Sequence, residues 1–74
     1  MVNYAEQEER DWGFAHRLKR VLKEERCTVE HLAAGCDLSV GYVYRLLQAR
    51  QQPSFKTVCA IADYLLKPLD TFRP

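Results

Sequence analysis

A chain of 74 residues, 47% hydrophobic and 28% charged, is globular in composition and excludes a disordered tail. It has room for one modest core, since a domain this small buries only about 60% of the surface its unfolded chain exposes. The formal net charge of +1, taken as a total, does not mark a nucleic-acid binder, but the charge is unevenly placed. Glu6, Glu8, Glu9 and Asp11 crowd the amino-terminal end against Arg10. Between Asp37 and Asp63 there is no acidic residue, while Arg45, Arg50 and Lys56 fall inside that window. A stretch without carboxylates suits a phosphate backbone.

Cys27, Cys36 and Cys59 lack C-x-x-C spacing and no secretory signal precedes them. That argues against a disulfide framework or a zinc site and for reduced thiols packed as small apolar groups. No metal and no cofactor are expected. No apolar run approaches the roughly 20 residues that cross a bilayer, so the expected protein is soluble and cytoplasmic, with no membrane partner.

Along the chain, residues 1–10 read as an acidic arm and 11–74 as a single domain. From Asp11, the residues Phe14, Ala15, Leu18, Val21 and Leu22 recur at steps of three and four, the buried face of an amphipathic helix ending near Arg26. Thr28 offers a hydroxyl cap to a second helix, Val29 to about Cys36, with Glu30 near the positive end of its dipole. Asp37 tolerates the left-handed turn conformation better than most residues, though less easily than glycine. Ser39 then caps a third helix, Val40 to about Gln48, which Pro53 and the polar residues before it stop. Ser54 caps a fourth, with Val58, Ile61, Ala62 and Leu65 as its buried stripe, and Pro68 opens a final turn to Phe72. The expected fold is all-α, with five short helices.

Two short amphipathic helices joined by about three residues form the unit that places a second helix in the DNA major groove. The segment Thr28 to Leu47, TVEHLAAGCDLSVGYVYRLL, resembles the helix-turn-helix of the lambda-repressor/Cro type (XRE-like). Pro53-Ser54 with Thr57, Val58, Ile61, Ala62 and Leu65 resembles that family's next helix. The small Ala33 suits the close crossing of the two helices, and Val43 and Leu46 suit the anchoring of the third.

There are departures. Asp37 stands where glycine is usual. Val29 replaces a polar residue that touches phosphate in relatives. Leu22 and Leu47 stand where many relatives carry an arginine and a glutamate that bridge helices one and three. Replacing both partners of a buried ion pair by leucines is often neutral or stabilising, so this double change agrees with the same packing.

The resemblance implies a sequence-specific DNA-binding transcriptional regulator, a repressor of phage or autoregulatory type, in a prokaryotic or phage-infected cell. Its expected partners are double-stranded DNA and a second copy of itself, without a small-molecule ligand. By helical geometry the outward residues of helix three are Ser39, Val40, Gly41, Tyr42, Tyr44, Arg45 and Gln48. Arg45 is a reader of guanine O6 and N7 or a phosphate contact. Val40 suits a thymine methyl and Gly41 a close approach. Tyr42 and Tyr44 reach the groove or simply pack, with function favoured for Tyr44.

Gln48, Arg50 and Gln51 match the part of the family that grips the sugar-phosphate chain, their alternative being a solvated loop. Thr28 and Ser39 head helices whose free amides attract phosphate, though their ordinary work is capping. Tyr4, Trp12, Leu66, Leu69 and Phe72 form a candidate subunit interface or else cap the core of a monomer. His16 and His31 have no catalytic partner nearby in sequence, and no catalytic constellation is visible, so an enzyme is not expected. The competing reading is a protein-interaction module, or antitoxin-like partner protein, on the same fold.

Overall fold

The computed structural model describes the backbone of residues 4–72 and the side chains of residues 13–72. Four α-helices follow one another, α1 (Tyr4–Glu24), α2 (Val29–Cys36), α3 (Val40–Leu47) and α4 (Phe55–Leu65), and a 3-10 turn, Leu69–Phe72, closes the chain. Among the described residues no strand forms. Helices two to four begin where their hydroxyl caps predict. Thr28, Ser39 and Ser54 are extended, and each side chain accepts the backbone N–H three residues on, from His31, Tyr42 and Thr57.

The first helix differs from expectation. It begins at Tyr4, so residues 4–10, set apart by composition as an acidic arm, continue the helix that periodicity dates from Asp11. Ala5, Glu6, Gln7, Glu8 and Glu9 are good helix formers, and carboxylates near a helix N-terminus complement its dipole. The apolar stripe marks a buried face and not the full length of a helix.

Leu18, Val21, Leu32, Val43, Leu46 and Ile61 are fully buried, each worth about 1.5–3 kcal/mol relative to exposure. Around them pack Leu22, Ala33, Leu47, Ala62, Leu65 and Phe72. Leu22 and Leu47 both lie in this core, the environment that favours two leucines over an ion pair. Helix α2 packs on α3 and α4, α1 packs on α3, and the 3-10 turn lies against α1 and α4. Phe72 is only 4% exposed, and its ring sits 5.9 Å from that of Phe14. Of the two readings of the terminal apolar residues, Phe72 takes the second, sealing the core of its own chain, and Leu69 packs partly against it, whereas Leu66 stays 90% exposed. Proline 68 turns the chain back towards α1, which a count of apolar residues near the terminus does not reveal. Tyr4 and Trp12 lie outside the residues whose side chains are described.

All four helices end alike. Arg26, Asp37, Ala49 and Leu66 take positive φ, between 52° and 57°. At each, two backbone N–H groups fold back on the last turn, as in Cys27 to Leu22 O (2.9 Å) and Lys67 to Ala62 O (2.9 Å). This is the Schellman arrangement, usually built on glycine because a Cβ is strained there. None of the four is glycine. Leu66 buries almost nothing, so Leu66→Gly relieves its strain without opening a cavity. Urea denaturation of this variant is expected to show a stability gain of about 1 kcal/mol; an unchanged or lowered midpoint would contradict the left-handed cap.

Candidate nucleic-acid interface

The interface begins at the turn between α2 and α3. Asp37 takes the left-handed conformation at φ 57°, ψ 44°, and Leu38 N–H donates to Ala33 O at 2.8 Å. Ser39 then accepts Tyr42 N–H at 3.1 Å, and Val43 N–H reaches Ser39 O at 3.2 Å. Three residues thus end one helix and start the next. Asparagine and aspartate visit this conformation more readily than other non-glycine residues, so Asp37 performs the turn that glycine makes in the family pattern.

Helix α3 sits on the core through Val43, Leu46 and Leu47. The opposite side exposes Val40, Gly41, Tyr44, Arg45 and Gln48, and the loop beyond exposes Arg50 and Gln51. Gly41, Tyr44, Arg45 and Gln48 are three and four residues apart and form one stripe. Thr28 and Ser39 are exposed, with their hydroxyls engaged as caps. The structure brings together the third-helix candidates and their loop. Tyr42 is half-buried and packs against the core, the packing alternative that its position at a helix edge had left open.

Arg45 is held from several sides. Its Nε donates to Gln51 Oε1 at 3.0 Å, and its guanidinium carbon lies 5.9 Å from the Tyr42 ring centre, within cation–π range. A Cβ built on Gly41 would meet Arg45 Nη1 at 3.6 Å. No acidic residue lies between Asp37 and Asp63, so Arg45, Arg50 and Lys56, all exposed, face no carboxylate from their own stretch of chain. The ion pair between Lys67 and Glu25, 3.5 Å, joins the carboxyl-terminal ends of α4 and α1 and is exposed enough to add little.

Some features escape sequence inspection. Thr28 Oγ1 lies 3.0 Å from His31 Nδ1 as well as accepting the His31 N–H at 3.2 Å, so the second helix is capped by a threonine tied to a histidine ring. The threonine-x-x-histidine spacing carries that signal. Phe55, the first residue of α4, is 72% exposed although it falls in step with Val58, Ala62 and Leu65. The α4 stripe starts before the core does. Tyr64 lies over Gly35 so closely that a Cβ there would overlap its ring; this glycine serves the approach of α2 to α4. Among the described residues no group of histidine, cysteine or acidic side chains could hold a metal ion. Cys27, Cys36 and Cys59 are free thiols. Burial pushes the Cys27 thiol above its ordinary range, and burial together with the nearby Cys27 does the same to Cys36. No helix among the described residues is long and apolar enough to cross a membrane.

Two short helices set on a three-residue turn, with the second exposed along one stripe, define a helix-turn-helix protein. The family model described as Helix-turn-helix matches residues 18–72, and the chain belongs to this lambda-repressor/Cro-type family of DNA-binding regulators. No curated protein and no solved structure matches the chain significantly.

The space around Gly41 separates the fold from the interface. Because an added methyl would meet only the far end of Arg45 at ordinary contact distance, Gly41→Ala is expected to raise stability by up to about 1 kcal/mol through better helix propensity. Thermal denaturation checks this, and a lowered midpoint would show that the site is closed.

Proposed function

We propose that this chain is a sequence-specific transcriptional repressor, of phage or autoregulatory type, that lays α3 in the DNA major groove. The observation that carries the reading is the exposed stripe Gly41, Tyr44, Arg45 and Gln48, continued by Arg50 and Gln51, on a surface to which residues 38–62 contribute no carboxylate. Arg45 reads a base edge, the role for which a planar fork is suited. Tyr44, Gln48 and Arg50 flank it on the groove wall and the sugar-phosphate chain, with Val40 and Gly41 closest to the bases. Thr28 and Ser39 present the amide ends of α2 and α3 towards phosphate. Family membership supports the DNA-binding part of this assignment.

A module this small buries a limited area on DNA, so the working form is a homodimer on two half-sites about one helical turn apart. Its place of action is the cytoplasm, with no small-molecule ligand required. The exposed Phe55, Tyr64 and Leu66 favour, as a second reading, a module that holds another protein.

Fluorescence-anisotropy titration against a random-sequence duplex and against the DNA upstream of its own gene, at two salt concentrations, distinguishes them. The upstream duplex is expected to bind more tightly and to lose affinity steeply as salt rises. Arg45→Ala should cost about 1–3 kcal/mol on that duplex, and Arg50→Ala should reduce the salt slope by about 1. Gly41→Ala, though folded, should bind more weakly because its methyl stands between helix and groove. Salt-insensitive binding, or binding indifferent to Arg45 and Arg50, would favour the protein-interaction module.

A further inference from the structure

Gln51 lies in the loop after α3, six residues beyond Arg45, and by its place it belongs with the backbone-gripping residues. Its amide oxygen is already committed, for it accepts Arg45 Nε at 3.0 Å. Since Nε–H is a donor, the amide must turn its oxygen inward, which fixes the Gln51 side chain as well as the arginine. The guanidinium carbon lies over the Tyr42 ring, 5.9 Å from its centre, and that ring is itself packed against the core. Gly41 leaves room for Nη1, whose distance to a Cβ there would be 3.6 Å. The guanidinium is thus held by a loop residue, by an aromatic ring anchored in the core and by the space over a glycine.

We infer that Gln51 is a positioning residue for base recognition: it holds Arg45 so that the Nη1–Nη2 edge, rather than the Nε–Nη edge, meets guanine. This rests on the DNA-reading function proposed above. An arginine has one N–H at Nε and four on its two terminal nitrogens, and either edge can pair with guanine O6 and N7. Gln51 closes the side-on edge and leaves the end-on edge to the ligand. An arginine restrained in this way loses less rotamer freedom when it binds, so more of the pairing energy is available to discriminate between bases. Because Gln51 acts through the end-on pairing of Arg45 with the base, it governs preference for one base, whereas a phosphate contact governs affinity for every sequence.

Binding-site selection from a randomised duplex library, run with the wild-type protein, Arg45→Ala, Gln51→Ala and Gln51→Glu, tests this. Circular dichroism of each variant establishes that it is folded; both positions are exposed. The wild type is expected to retain a guanine in each half-site that Arg45→Ala no longer selects. Gln51→Ala should weaken the preference for that same guanine about tenfold, more than it weakens binding to a random duplex. Gln51→Glu keeps an acceptor oxygen on Nε and should retain the preference. If Gln51→Ala selects the wild-type guanine undiminished, or weakens all sequences equally, Gln51 is no positioning residue. A wild-type motif without an Arg45-dependent guanine also overturns the inference and leaves DNA reading intact; a wild type that enriches no motif overturns both.

Discussion

The reversal of the chain at Asp37, Leu38 and Ser39 is the constraint on which the interface depends. Asp37 in the left-handed conformation and Leu38 N–H on Ala33 O end α2, while the Ser39 hydroxyl begins α3. With only three residues between the helices, these hydrogen bonds restrict the direction that α3 can take. Ala33, 1% exposed, permits the close crossing, and Val43, Leu46 and Leu47 anchor α3 from beneath. The side left outward carries Arg45. The exposed stripe points outward because the opposite stripe is held in the core.

The same economy governs the rest of the chain. Four helices end in one backbone arrangement, and four residues other than glycine bear its strain. Each left-handed residue costs stability at its helix end, and the core offsets the sum. At Asp37 the aspartate side chain softens the cost; Arg26, Ala49 and Leu66 have no such relief. Closure is completed by the 3-10 turn, which brings Phe72 onto Phe14 and places the end of the described chain against the helix that began it.

Most of this architecture is legible in the sequence because its signals are local. Serine and threonine mark each internal helix start through a hydrogen bond three residues long, and α2 runs from Val29 to Cys36 as its cap and turn foretell. The apolar steps of α3 divide buried Val43, Leu46 and Leu47 from exposed Tyr44, Arg45 and Gln48. What escapes is set by contacts distant in sequence or by the absence of contact. Phe72 reads as either interface or core cap until the 3-10 turn is seen to lay it against Phe14 of α1. Tyr42 shares a helix edge with true surface residues, and only the position of the core beneath shows it half-buried. The start of α1 carries no apolar stripe, so its extension to Tyr4 rests on propensity alone. The Arg45–Gln51 bond spans a loop whose path no periodicity specifies.

The proposed function requires α3 and the loop after it to form one DNA-facing surface, oriented by the α2–α3 turn. Titrating the isotope-labelled protein with a duplex carrying its selected site, and following backbone amide shifts by NMR, tests that most directly. The largest shifts are expected at residues 39–51, with Arg45 Nε–H among them, and little change in the carboxyl-terminal half of α4. Shifts concentrated instead around Tyr64 and Leu66, or none along α3, would contradict it.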